Sequence, residues 1–284
     1  MNFSLTIRAQ HRSQSRLSTM VRLRRTVRFS INPGGHTDGS NGFGGVPAMR
    51  GLGRYYELDV ACTGEPDPHT GYLIDIRQID RVVRTSVVPL IAEACALAPE
   101  TAPVRLLPSI VSAVSSSSLG SIFESVTWRL TPYHAVAMNA DDTSTAVMLL
   151  RFDLAAAHRL HVPELSDEQN AALFGRCNNP SGHGHNYQVE VAVRIPLGPE
   201  QVCPTPAQLE QLVDKLIIQP FDHKHLNLDT REFAPGSGVN PSVENIARVF
   251  FETLAGPLAD AFSGTHLVSI TVWETDRTRC TYPA

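Results

Sequence analysis

The chain has 284 residues, of which 42% are hydrophobic and 18% charged, a composition that can bury an apolar core. No apolar run reaches the roughly 18 residues that a membrane-spanning helix requires, and the formal net charge of −4 gives no reason to expect nucleic acid as the main partner. The five cysteines are odd in number and lack any C-x-x-C spacing, which favours a reducing compartment over a disulfide scaffold. We therefore expect a globular protein of the cytoplasm.

Residues 1–19 contain three arginines spaced four residues apart and no acidic residue. Such a segment is typical of an organellar transit peptide. The alternative, which we favour over organellar targeting, is an upstream start codon, with Met20 as the true beginning and Val21 to Ser30 as the first strand. In either case we expect residues 1–19 to be disordered or mis-assigned and to lie outside the fold.

The two halves of the chain share a plan, which is visible as three matched segments. These are Arg28-Phe29 with Arg151-Phe152, Tyr56 to Val60 with Tyr187 to Val191, and Thr127 to Thr131 with Thr271 to Thr275. A tandem duplication is the simplest cause. The short polar stretch from Asn139 to Thr145 suits the joint, so we predict one domain over residues 20–140 and another over 147–284.

In the second half, the segment that ends at His158 reads as a strand. Phe152, Leu154 and Ala156 share the parity of His158, so a strand would carry this imidazole on its apolar face.

Residues 176–187, Arg-Cys-Asn-Asn-Pro-Ser-Gly-His-Gly-His-Asn-Tyr, place Cys177, His183 and His185 within a dozen positions. In an extended backbone the two histidines point the same way, roughly 7 Å apart, so one metal ion can bridge them. A catalytic zinc ion keeps three protein ligands and one open position, and His158 is our third candidate ligand. The alternative is a set of separate structural histidines and an inert buried thiol.

Two helices are predicted next. Thr205, Pro206 and Gln208 form a helix start, and we expect Pro220 to end this helix. Asp222 and His223 then lie in a turn, where they either face a pocket or form an ordinary surface turn.

The second helix is predicted to start at Ser242 and to stop at Gly256-Pro257. The last strand, Leu267 to Glu274, places Val268, Ile270 and Val272 on one face with Glu274 at its end. The pattern allows a carboxylate with a protein partner or one that is simply hydrated.

The matched segments leave the first half without these groups. The positions opposite His158, His183, His185 and Glu274 hold Gly35, Leu52, Arg54 and Leu130. We therefore predict that the first domain is degenerate and has no metal site.

Together these residues resemble the 6-pyruvoyl-tetrahydropterin synthase family. The motifs that carry the resemblance are Ala157-His158-Arg-Leu160, Cys177-x5-His183-Gly-His185-Asn-Tyr187, Asp222-His223-Lys-His-Leu226-Asn227, Glu244-Asn245 and Glu274-Thr-Asp276. The resemblance spans residues 148–284. The five-residue gap between Cys177 and His183 resembles the pyruvoyl-forming enzymes more than the related 6-carboxy-tetrahydropterin synthases of queuosine biosynthesis.

The resemblance implies an α+β fold made of two tandem T-fold domains, each an antiparallel four-stranded sheet with two helices on one face. It also implies a homo-oligomer whose sheets join into a barrel, with active sites at subunit interfaces. A trimer of tandem chains would imitate the family's hexamer.

The family's residue roles are carried over one position at a time. The resemblance implies zinc ligands at His158, His183 and His185, a general base at Cys177 and a proton relay at Asp222 and His223. It further implies that Glu274 anchors the pterin ring and that Glu244 and Ser242 belong to the same pocket, where Val243 replaces a family hydroxyl.

The implied activity is that of a carbon–oxygen lyase acting on phosphates, which converts 7,8-dihydroneopterin triphosphate to 6-pyruvoyl-tetrahydropterin and releases triphosphate. Arg159, Arg176 and Lys224 are candidates for the triphosphate, the alternative for each being an ordinary surface cation, and the sequence leaves open whether Mg²⁺ accompanies it. The alternatives are a 6-carboxy-tetrahydropterin synthase and, from another class, a non-catalytic zinc-binding oligomeric scaffold.

Overall fold

The computed structural model describes residues 19–35, 37–39, 43–198 and 203–284. The prediction for residues 1–19 therefore falls almost wholly outside the described residues. None of the described helices combines the length and apolar character needed to cross a membrane.

The first half contains four strands and a helical layer. Its strands are β1 (Val21–Ile31), β2 (Arg54–Gly64), β3 (Phe123–Thr131) and β4 (His134–Asn139). Its helices are α1 (Ile76–Val82), a π-helical segment (Val83–Val87), α2 (Val88–Leu97), a 3-10 turn (Pro103–Leu106) and α3 (Leu107–Ser115).

The second half repeats this order with additions around the site. Its strands are β5 (Thr145–His158), β6 (His183–Pro196), β7 (Lys224–His225), β8 (His266–Thr275) and β9 (Thr278–Tyr282). Its helices are α4 (Asp167–Phe174), a 3-10 turn (Gly175–Asn178), α5 (Pro206–Val213), a π-helical segment (Asp214–Ile218), α6 (Gln219–Phe221), α7 (Leu226–Asp229) and α8 (Val243–Ala261).

A single sheet runs through both halves. Among the described residues the strand order is β1-β2-β3-β4-β5-β6-β8-β9, all antiparallel, and β7 adds to β5 in parallel. The two four-stranded sets are joined where β4 pairs with β5, from His134 opposite Leu150 to Ala137 opposite Val147. The predicted α+β class with T-fold halves is confirmed, whereas the domain boundaries stay a prediction.

The halves match in their irregularities as well as in their order. Each first helix passes through a five-residue π-helical segment. The β2–β3 ladder shifts register after Ala61, which lies opposite Ser125, and the β6–β8 ladder shifts after Ala192, which lies opposite Ser269. Such shared departures from ideal geometry agree with the predicted tandem duplication.

The strand register corrects one sequence match. Phe29 lies opposite Tyr56, and the residue opposite the counterpart tyrosine, Tyr187, is Leu154. Phe29 therefore corresponds to Leu154 rather than to Phe152, a slip of two residues that preserves the side-chain alternation. For this reason the sequence could not detect it.

The first predicted helix continues through its π-helical segment and ends at Phe221, one residue after Pro220, with Asp222 extended, so the predicted stop holds to within one residue. The second predicted helix end needs correction. Pro257 lies inside α8, which continues to Ala261. A proline there costs about 3 kcal/mol, and full burial of Leu258, the next residue, offsets much of that cost, since burying a leucine contributes about 1.5–3 kcal/mol.

The core lies between the sheet and the helices. In β5 the residues of even number are buried except Phe152, which is half-buried, and His158 at the end of this row has no exposed surface. The prediction that a strand carries His158 on its apolar face is confirmed.

Candidate metal centre and its surroundings

Three histidines meet where β5 and β6 end. His158 lies opposite His183, and Ala156 lies opposite His185, so the three imidazoles share the face of the sheet that the helices cover. Their candidate ligand atoms all lie within 4.8 Å of one another, and Nε2 of His158 is 3.1 Å from Nε2 of His183. The sequence predicted this grouping, and the residues can hold a metal ion.

The hydrogen bonds and the protonation state of these rings also suit metal binding. The Nδ1–H of His158 donates to the carbonyl oxygen of Pro241 at 2.7 Å, which leaves Nε2 of the neutral ring as a lone-pair donor. Burial lowers the pKa of His158 to about 4, so the ring stays neutral near pH 7. Nε2 of His185 is buried and has no hydrogen-bond partner among the described residues.

Tyr187 packs against the histidine cluster. Its hydroxyl lies 3.4 Å from Nδ1 of His158, its ring is 5.4 Å from the ring of His185, and only 1% of the residue is exposed. Burial raises the pKa of Tyr187, so its hydroxyl stays protonated. Sequence reasoning assigned this residue no role, although it continues the alternation of His183 and His185 along β6.

Glu274 faces the imidazoles. Its Oε1 lies 3.6 Å from Nε2 of His158 and 3.6 Å from Nε2 of His185. The carboxylate at the end of β8 therefore faces the imidazoles and is only 19% exposed, although it makes no hydrogen bond to them.

Cys177 lies in the 3-10 turn beside the cluster, and its carbonyl oxygen accepts a hydrogen bond from the amide of Leu160 at 2.8 Å. Burial and the Glu274 carboxylate raise the pKa of its thiol. The protein groups alone therefore favour the thiol, and a populated thiolate requires an added positive charge.

Asp222 and His223 form a pair at the opposite edge of β5. Nδ1 of His223 is 2.7 Å from Asp222, whose Oδ1 accepts from the amide of Ala155 at 2.8 Å. Burial raises the pKa of Asp222, but the hydrogen bonds from Ala155 and His223 outweigh it, so the pKa is lowered.

The imidazole of His223 is 82% exposed and borders an open groove with Ala155, Ala157 and Asn186. In the ladder, residues 155, 157 and 186 alternate with the metal-ligand candidates and point to the other face of the sheet. His185 also contributes to the lining of this groove, but among the described residues the His223 ring is hydrogen-bonded to Asp222 and to none of the three imidazoles.

The two remaining candidates lie at the start of α8. The hydroxyl of Ser242 caps this helix by accepting from the amide of Asn245 at 3.4 Å, and Glu244 is exposed in its first turn. The sequence missed a different role for this segment, which is that Pro241 orients His158 through its backbone. A backbone carbonyl leaves no residue-type signal.

The first half has a cavity of about 320 Å³ at the corresponding end, and Pro33, Leu52, Arg54, Ala92 and Cys95 contribute to its lining. The corrected register makes Pro33, and not Gly35, the counterpart of His158. Arg54 lies opposite Ile31 where His185 lies opposite Ala156.

Comparison with known proteins gives concordant matches. The family model described as 6-pyruvoyl tetrahydropterin synthase matches residues 148–284. The human 6-pyruvoyl tetrahydrobiopterin synthase is 38% identical over 133 residues, which cover 46% of this chain and 87% of the human protein. The Poecilia reticulata protein of that name is 38% identical over 128 residues, covering 45% of this chain and 82% of that protein.

A solved structure of Caenorhabditis elegans 6-pyruvoyl tetrahydropterin synthase is 33% identical, with a TM-score of 0.42, and covers 49% of this chain and 94% of that chain.

Proposed function

This chain belongs to the 6-pyruvoyl tetrahydropterin synthase family, and on that premise we propose that it is a zinc-dependent pterin lyase. Its substrate is 7,8-dihydroneopterin triphosphate, and its products are 6-pyruvoyl-tetrahydropterin and inorganic triphosphate. The observation that carries this proposal is the convergence of His158, His183 and His185 within 4.8 Å, beside a thiol and a carboxylate.

The three histidines are the proposed zinc ligands. Neutral imidazoles suit zinc, and the bond from His158 to Pro241 fixes the tautomer that coordination needs. When bound, zinc supplies a Lewis acid that polarises the hydroxyl oxygens of the substrate side chain and acidifies the adjacent C–H bonds.

Cys177 is the proposed base. Because the protein groups raise the pKa of its thiol, its thiolate becomes populated near neutral pH only when a nearby cation offsets the Glu274 carboxylate. The base is therefore active in the metal-loaded protein and weak in the metal-free protein.

Asp222 and His223 are the proposed proton relay. The carboxylate accepts from Nδ1–H of His223, which holds the ring in one tautomer and stabilises its charged form. Since His223 projects from the other face of the sheet, we propose that the relay completes a site together with a second copy of the chain.

Glu274 is the proposed anchor for the pterin ring. The amino-pyrimidine edge presents two N–H donors in a fork, which a carboxylate accepts side by side. Glu244 and Ser242 are proposed as further members of this pocket, and the helix-capping bond of Ser242 positions its hydroxyl.

One assay tests the proposal. The zinc-loaded protein is incubated with dihydroneopterin triphosphate, and the pterin and the phosphate released are identified. The 6-pyruvoyl product with one triphosphate per turnover is expected. A 6-carboxy product would favour a 6-carboxy-tetrahydropterin synthase, and intact substrate with retained zinc would favour a non-catalytic scaffold.

A further inference from the structure

A cavity of about 400 Å³ lies beside the histidine cluster, within the usual size range of small-molecule sites. Arg159, His161 and His225 contribute to its wall. Arg159 directly follows His158 in the chain, so the cavity borders the cluster through the backbone.

Four neighbouring strands arrange the polar groups in a row. Glu274 lies on β8, His183 and His185 on β6, His158 on β5 and His225 on β7, because β5 pairs with β6 on one side and with β7 on the other. Three strand spacings amount to about 14 Å. In strand order the carboxylate, the imidazole cluster and the cavity thus follow one another, and His225 lies opposite Ala157, at the end of β5 where the sheet gives way to the cavity.

The substrate of the proposed function has the same order of groups: a pyrimidine edge, a hydroxylated side chain and a triphosphate. Resting on that function, we infer that the cavity is the triphosphate subsite, with Arg159 as its main charged contact. The subsite takes the phosphate chain of the substrate and then the inorganic triphosphate that the reaction releases.

The guanidinium of Arg159 is held in place for this role. Its Nε donates to the carbonyl oxygen and to Oδ1 of Asn178, both at 3.2 Å, and its Nη2 is 3.2 Å from Nδ1 of His161. Among the residues that the structure describes, Arg159 has no carboxylate within salt-bridge distance. A planar, fixed guanidinium without a competing carboxylate is well suited to bind a phosphate.

The positions of the other charged residues favour Arg159 as the phosphate contact. Glu164 also lines the cavity and its carboxylate offsets the charge of Arg159, so binding of an anion there depends on direct contact with the Arg159 guanidinium. Lys224 lines the open groove of His223 instead, and Arg176 lines neither space. Of the three cations that the sequence offered for the triphosphate, only Arg159 lies in the cavity.

The test measures binding of inorganic triphosphate to the full-length, zinc-loaded protein by titration calorimetry. We expect Arg159→Ala to raise the Kd at least tenfold and Arg176→Ala, a neighbouring arginine outside the cavity, to leave it within twofold. The difference should shrink at high salt, because the contact is electrostatic.

A second pair of variants guards against a folding defect in Arg159→Ala. Leu228 lines the cavity and is 76% exposed, and Leu173 is 64% exposed and lies outside it. We expect Leu228→Glu to weaken triphosphate binding at least tenfold by charge repulsion and Leu173→Glu to leave it unchanged. Wild-type Kd values in both Arg159→Ala and Leu228→Glu would overturn the subsite.

Two further outcomes separate the subsite from the proposed function. Triphosphate binding that disappears when a chelator removes the zinc would place the anion on the metal and overturn the subsite. If the protein binds triphosphate and Leu228→Glu abolishes this binding, yet no pterin product forms, then the proposed function fails and the anion site stands. Turnover with an unchanged KM in both cavity variants would instead support the proposed function and overturn the subsite.

Discussion

The two halves of the chain follow one plan but differ in the length of one ladder. β1 and β2 pair only as far as Ile31 and Arg54, whereas β5 and β6 continue two residue pairs further, to His158 and His183. The last of these added pairs supplies two of the three candidate ligands. A metal site can therefore be gained or lost at a strand end while the fold remains.

A second difference follows the helices. At the same distance beyond its π-helical segment, the first half has Ile91-Ala92 and the second half has Asp222-His223. Ile91 is fully buried in the core. One half has thus kept an apolar contact at the position where the other carries a polar pair.

The largest effect is expected from removing the first half. Deletion of residues 1–140 strips β4 from β5 and exposes a long strand edge, so we expect aggregated or unassembled protein in size-exclusion chromatography. Deletion of residues 1–19 alone is the control and should leave assembly intact. A soluble, active fragment 141–284 would show that the first half is not architectural.

The next largest difference between the halves is expected when a candidate metal ligand is substituted. His183→Ala should lose zinc and turnover, since two imidazoles hold zinc weakly. Leu52→Ala, at the counterpart position, should lose neither. Metal content is measured by mass spectrometry. Stoichiometric zinc in His183→Ala would contradict the proposed three-histidine zinc site.

Cys177→Ala should lower turnover by about 10²–10⁴-fold, the usual contribution of a positioned base. Zinc content should stay at the wild-type level, because the thiol is not a ligand in this proposal. Loss of metal would make Cys177 a ligand instead. Cys95→Ala, in the cavity of the first half, serves as the matched control.

The smallest effect is expected from the paired tyrosines. Tyr187→Phe removes the hydroxyl near His158 and should weaken zinc binding by about tenfold, the lower end for an outer contact of a metal ligand, because Pro241 still holds the ring. Tyr56→Phe should not change zinc affinity. Chelator competition measures both, and equal affinities for the two variants would contradict the supporting role of Tyr187.

Strand alternation explains what the sequence could predict. Period-two spacing placed His158, His183 and His185 on one face, and the capping box at Thr205 marked a helix start, since both signals are local. The match of Phe29 to Phe152 failed because a slip of two residues leaves every side chain on its face.

Other parts of the site depend on contacts between distant segments. Pro241 acts through its carbonyl oxygen, and Arg159 and His225 are brought to one cavity by the addition of β7 to β5. The helix stop assigned to Pro257 failed because burial of Leu258 outweighed a residue preference. None of these can be read from spacing along the chain.

The unbroken pairing of β4 with β5 fixes a stoichiometry. Each chain contributes two fold units to any assembly but only one three-histidine cluster within its described residues. In any assembly of this chain, the three-histidine clusters of the described residues would therefore number half the fold units.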